Sequence, residues 1–246
     1  HLVVGTTDTP LPGKSLEPRA LQSERDFVLS HAAHYLAKDP TEDDILSVFA
    51  GLRPLVKSGD GSDTAALSRD HTILVSESGL ITVTGGKWTT YRKMGEDVVD
   101  QAEMVAGIEN EDCQTKHLQI HGWTKASISE PNLALYGSDA GEVRDIIQSD
   151  PELAKPIHEA FSYQRGEVLW HARQEMAVTV EDVLARRTRA LLLNASASIE
   201  AAPVVAALLA AELGHDSAWE SAQVEAFTTL AHGYEFKNPA STMAPV

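Results

Sequence analysis

The stretch ITVTGGKWTTYRKMGEDVVD, Ile81–Asp100, changes periodicity at its centre. Ile81–Thr84 alternates as a strand does, and the residues after Lys87 follow helical spacing. Between them stand Gly85, Gly86 and Lys87. Glycines without a Cβ let the backbone come close to a flat ligand and present its amides. A helix start adds unpaired N–H groups and partial positive charge, which suits an anion. An ordinary strand-to-helix turn uses the same residues, and spacing alone leaves both readings open.

Working outward, HTILVSESGLITVTGG (His71–Gly86) places two apolar runs around Ser76-Glu77-Ser78-Gly79 and is expected to form a β-hairpin. The helix that follows carries Trp88, Tyr91, Val98, Ala102 and Val105 at helical intervals, which predicts one buried face. After Ala106 the chain turns polar, and from Tyr136 it reads as helices over 139–148, 166–176, 179–193, 198–213 and 217–231. Thr179 with Asp182 forms a capping box, and Gly214 is a natural stop. Toward the N-terminus, Leu2–Thr7 has strand composition and Thr9–Pro18 that of a loop. Phe27, Val28, His31, Ala32 and Tyr35 share a helical face with Ser23 as cap, and ILSVFAGLRPLV looks extended. The fold class expected is α+β: a partial substrate domain with an antiparallel or mixed sheet over 1–108, then an all-helical domain over 109–246. His1 leads directly into strand-like residues, so a piece of a longer protein is expected.

The 246 residues are 43% hydrophobic, enough for a real core, and carry 20 basic against 36 acidic side chains. A net charge of −16 argues against nonspecific nucleic-acid binding. One cysteine, Cys113, builds neither a disulfide framework nor a cysteine zinc site, which suits a reducing compartment. No apolar run approaches the ~18–20 residues that span a bilayer. His31 with His34 and His117 with His121 lack the carboxylate pattern of a metal site, and packing or surface roles fit them better. No Gly-x-Ser-x-Gly elbow and no Gly-x-Gly-x-x-Gly fingerprint occurs. Arg186, Arg187 and Arg189 read as a solvated helix face.

Three cations are placed differently. Arg53 lies between Gly51 and Pro54, Arg69 just before a strand, and Lys87 at a helix start. Arg offers a planar fork and Lys a point charge to a phosphate or carboxylate. Spacing alone favours the plainer reading, in which the arginines pair with surface carboxylates.

The segments GTTDT, FAGLRPLV, LSRDH, VSESGLITVTGGKWTTYRKMGEDVVD and EVLWHARQEMAVTVEDVLARRTRALLL, in this order, closely resemble the C-terminal half of FAD-dependent glycerol-3-phosphate dehydrogenases. The resemblance covers nearly the whole chain. It implies oxidation of sn-glycerol 3-phosphate to dihydroxyacetone phosphate, with a hydride passed to FAD and electrons to quinone at a membrane surface. It further implies that Arg53, Arg69 and Lys87 line the substrate pocket and that Gly85, Gly86, Lys87, Trp88 and Thr89 meet the flavin. The family's glycine-rich FAD fingerprint is absent, so no general base is assigned and the chain alone is expected to be inactive. A cytoplasmic protein associated with the cytoplasmic membrane face, and a homodimer, complete the expectation. Two further readings stay open: a helical docking module, about 110–246, and a related FAD-dependent amine or hydroxy-acid oxidase.

Overall fold

The computed structural model describes every residue except 11, 12, 14, 54–70 and 237–246. Its contacts divide the chain into two compact units: residues 1–51 with 121–246, and residues 52–120.

The unit of residues 52–120 is built on a hairpin. Strand β1 (His71–Val75) pairs antiparallel with β2 (Ile81–Gly85), with His71 opposite Gly85 and Val75 opposite Ile81. Ser76 and Leu80 close the turn through an N–H···O bond of 3.0 Å, and Gly79 takes the left-handed conformation the turn needs. A single 3-10 turn, Trp88–Thr90, leads into helix α2 (Tyr91–Ala106). The hairpin is therefore as expected, but the buried helix face is not. Trp88 is 86% exposed, Tyr91 and Val105 are exposed, and Val98 and Ala102 are half-buried. No described residue of 71–120 is buried. Helical spacing marks a face that could be covered; it does not supply the cover.

The other unit is helical. In chain order it contains α1 (Gln22–Ala33), which precedes the hairpin, and then α3 (Ala140–Ser149), α4 (Arg165–Gln174), a π-helical segment Asp182–Arg187, α5 (Ala190–Leu193), α6 (Ala195–Leu213) and α7 (Ser217–Ala231). Its main core joins Val168 of α4, Val183 and Leu184, Val205 and Leu209 of α6, and Phe227 of α7. A smaller cluster joins Tyr136, Val143, Ile147 and Trp170. Asn194 caps α6 by accepting from Ala197 N–H at 3.0 Å, and Gly214 ends it in the left-handed region. At 19 residues and a mean hydropathy of 1.5, α6 is long and apolar enough to cross a membrane, contrary to the expectation that no stretch is. Its apolar residues instead form the centre of this unit's core.

Other expectations are corrected. Leu2–Thr7 forms no strand, and α1 starts after Leu21 rather than Ser23, with Glu24 accepting from Leu21 N–H at 2.9 Å. Phe27 and Tyr35 are exposed rather than packed. The predicted helix 179–193 opens on the expected box, with Thr179 N–H donating to Asp182 at 3.0 Å, but breaks at Arg189, whose φ is 57°. The extended segment before Arg53 joins the helices by backbone: Ala195 N–H donates to Leu46 O at 3.0 Å and Val48 N–H to Tyr234 O at 2.8 Å. Arg19 lies over the Tyr234 ring and Arg25 over that of Phe236, fastening the same end.

Candidate functional site: the glycine turn after the hairpin

Strand β2 ends at Gly85, and both Gly85 (φ 78°) and Gly86 (φ 79°) are left-handed. Two successive residues in this region favour glycine, because a Cβ there meets its own carbonyl. Space requires it too. A Cβ on Gly86 would fall 2.4 Å from Met94 Sδ and 3.3 Å from His71 Cβ. The turn thus reverses directly against α2 and the first residue of β1. It is closed by Thr90, whose hydroxyl donates to Lys87 O at 2.9 Å and accepts from Lys87 N–H at 3.2 Å.

The charges of α2 are paired along the helix. Arg92 bonds Glu96 at 2.5 Å, and Lys93 reaches Glu96 at 3.0 Å and Asp97 at 2.7 Å. The Arg92 and Lys93 hydrogen bonds hold the Glu96 carboxyl down at about 2. Asp97 also binds His71 Nε2 at 2.8 Å, tying β1 to α2. Lys87 differs: it is exposed, and no described residue forms an ion pair or side-chain hydrogen bond with its ammonium group. In a strongly acidic chain an unpaired cation at the start of a helical segment is a place for an anion. Beside it, the exposed rings of Trp88 and Tyr91 stack at 5.6 Å.

Gly85, Gly86, Lys87, Trp88 and Thr89 therefore sit together on one turn. Arg53 is exposed and engaged by a partner. Arg69 lies outside the described residues. A cavity of about 380 Å³ between β1 and α2 is lined by His71, Ile73, Asp97, Asp100 and Gln101. Its two carboxylates have the wrong sign for a phosphate, so it is not the anion site.

Sequence reading missed a second polar cluster, inside the helical unit. Glu167 and His171 of α4 are 1% and 2% exposed, and Tyr136, from the 3-10 turn Ala134–Asp139, donates to Glu167 at 2.8 Å. Glu167, His171 and Glu175 recur every fourth residue beside Trp170, a stripe that was visible as a helical face carrying charge where apolar residues were due.

Residues 85–220, from this turn through α6 into α7, match the family described as the C-terminal domain of alpha-glycerophosphate oxidase. The chain belongs to that family. A probable mitochondrial glycerol-3-phosphate dehydrogenase of Caenorhabditis elegans is 35% identical, over 93% of this chain and 34% of its own length. Glycerol-3-phosphate dehydrogenase 2 of Mycobacterium bovis is 33% identical, over 92% of this chain and 41% of its own. The chain thus spans 34% and 41% of the lengths of these two curated relatives. Among solved structures, the Bacillus halodurans glycerol-3-phosphate dehydrogenase complexed with FAD superposes with a TM-score of 0.71 at 26% identity, over 98% of this chain and 50% of that one. The α+β fold expected for the family is the fold found here, with a small antiparallel sheet and a helical C-terminal part.

Proposed function

We propose that this chain is the C-terminal part of an FAD-dependent sn-glycerol-3-phosphate dehydrogenase, which oxidises glycerol 3-phosphate to dihydroxyacetone phosphate. The observation that carries the reading is Lys87, paired with no described residue, on the left-handed Gly85-Gly86 turn at the head of the family-matched segment.

The turn fits a flavin edge. Gly85 and Gly86 are half-buried, and Gly86 is tightly backed by Met94 and His71, which fixes the backbone on that side. Gly85, Gly86, Lys87, Trp88 and Thr89 would hold FAD, which when bound accepts the hydride from C2 of the substrate. The helical start would place its dipole where negative charge develops, and Arg53, Arg69 and Lys87 would clamp the phosphate dianion with charge-assisted hydrogen bonds. No residue of this chain is assigned as the base that takes the proton of the C2 hydroxyl.

The reading extends to electron transfer to quinone at a membrane surface, to a cytoplasmic location on that surface and to a homodimer. In this reading the substrate and flavin residues belong to a 1–108 part, an all-helical part runs from 109 to 246, and the chain alone neither binds FAD near stoichiometry nor turns over. The docking-module reading has less behind it. In 121–236 the large apolar side chains point inward, apart from Trp123, Leu135, Met176 and Val178.

Lys87→Ala in an enzyme of the relatives' length carrying this sequence is the test. Loss of one unscreened charge contact to a dianion is expected to lower kcat/KM for glycerol 3-phosphate by about 10²-fold, with little change for neutral glycerol. Equal loss with both substrates overturns the phosphate role.

A further inference from the structure

The buried cluster in the helical unit poses a proton-counting problem. His171 Nδ1 lies 2.7 Å from Glu175 Oε2 and Trp170 Nε1–H donates to Glu175 Oε1 at 3.0 Å. Facing a carboxylate, Nδ1 must carry a proton. On the other side of the ring, Nε2 lies 3.5 Å from the Tyr136 hydroxyl oxygen, which is itself 2.8 Å from Glu167 Oε1. The remaining Glu167 oxygen accepts from Gln164 N–H at 2.5 Å. If Glu167 were ionised and His171 neutral, two acceptors would face a single O–H. One would be left against oxygen lone pairs, inside a site closed to water.

One added proton resolves this, in either of two arrangements. On Nε2, it donates to the Tyr136 oxygen while the Tyr136 O–H donates to Glu167. On Glu167, it donates to the Tyr136 oxygen while the Tyr136 O–H donates to Nε2. A second added proton would leave the tyrosine O–H without an acceptor. We infer that Glu167 and His171 hold a single proton in common, passed across the Tyr136 hydroxyl, and that the helical unit folds around it.

The surroundings agree. Burial pushes the Glu167 carboxyl above the usual carboxylate range and pushes the Tyr136 hydroxyl up as well, so the tyrosine keeps its proton. The hydrogen bond from His171 holds Glu175 below that range. The other titratable and charged groups facing the cluster are Tyr163, kept neutral by burial, and Arg187, whose Nε is 3.7 Å from Glu175 Oε2. Arg189 acts on Tyr163 rather than on the cluster directly.

The sign follows from counting protons. An unfolded chain holds none on this pair above about pH 6.5, one between about 4.3 and 6.5, and two below. The folded cluster holds one. Stability should be level in the middle window, and above about pH 6.5 the folding equilibrium constant should fall about tenfold per pH unit while the proton stays bound.

Amide hydrogen exchange of α6 in the 246-residue chain, corrected for intrinsic rates, reads this unit alone. Glu167→Gln supplies a fixed donor to Tyr136 and still accepts from Gln164, so it mimics the protonated acid. It is expected to fold and to abolish the tenfold-per-unit decline between about pH 7 and 8.5. The same slope in both proteins, or no slope in the wild type, overturns the inference. Should the variant not fold, the wild type decides by itself. A protonated-carboxyl infrared band lost on raising the pH, or a His171 Nε2 with protonated or intermediate nitrogen shift, supports sharing. A lone-pair shift at Nε2 with no such band refutes it.

Discussion

Residues 71–120 and residues 121–236 use the same kinds of local signal and reach opposite ends. Both pair charges along their helices. The helical part turns Val183, Leu184, Val205, Leu209 and Phe227 into a closed core. The hairpin part leaves Leu74, Leu80, Val83, Tyr91, Val99, Met104 and Ile108 exposed. A two-stranded hairpin with one helix cannot bury both of its faces, and an isolated hairpin is marginal in water. Good local structure therefore stabilises a segment only where a second layer covers it. In this molecule the closed core lies in the part without the candidate site, while the glycine turn sits in a part none of whose described residues is buried.

The widest test of that contrast is amide exchange across the whole chain. Amides in α6 should exchange on the order of 10³–10⁶-fold more slowly than those of β1 and β2, relative to their intrinsic rates. Similar protection in both parts would break the comparison. It would mean that hairpin hydrogen bonds are stable without a covering layer.

How much of this could be read from the residues follows the same division. The hairpin, the turn Gly85-Gly86-Lys87, the Thr179–Asp182 box and the Gly214 stop depend on neighbours within four or five positions, and they were legible. The exposure of Trp88 and Tyr91 was not, because helical spacing shows which side chains share a face and says nothing of what lies against it. The left-handed Arg189 was hidden because arginine carries no preference for that conformation; tertiary packing imposed it. The grouping of residues 1–51 with the helices rests on backbone bonds such as Ala195 N–H to Leu46 O, 149 residues apart by subtraction of their numbers, and no local pattern encodes such a bond. Of the candidate site, the turn was legible and is formed. Arg53 and Arg69 were picked out by placement next to Gly, Pro and a strand, signals that identify loops more surely than ligands.

Core substitutions sharpen the contrast at single residues. Leu209 is completely buried in α6, and Leu209→Ala should cost about 3 kcal/mol through lost transfer energy and the cavity left behind. Val83 is exposed on β2, and Val83→Ala should cost under ~0.5 kcal/mol. Urea unfolding followed by signals from each part measures both. A large cost at Val83 would show that the hairpin face is covered in solution by something that stabilises it.

The smallest effect is acid, and it probes both parts with the same chemistry. Glu96 in the hairpin part and Glu130 in the helical part are each held at about 2, the first by hydrogen bonds from Arg92 and Lys93, the second by Arg144 with Ser129. A carboxyl depressed in the folded state contributes stability above its unfolded value of about 4.3 and loses it as pH falls toward the folded one. Both pairs are solvent-accessible, so each contribution is small. Acidification through this window thus removes an equivalent increment from each part. Helix α2 has no buried residue to offset the loss, whereas the Glu130–Arg144 pair lies beside a cluster containing Val143 and Ile147. Exchange at α2 amides should therefore rise at higher pH than exchange at α3. The reverse order would show that the α2 charges Arg92, Lys93, Glu96 and Asp97 hold that helix more firmly than burial holds α3.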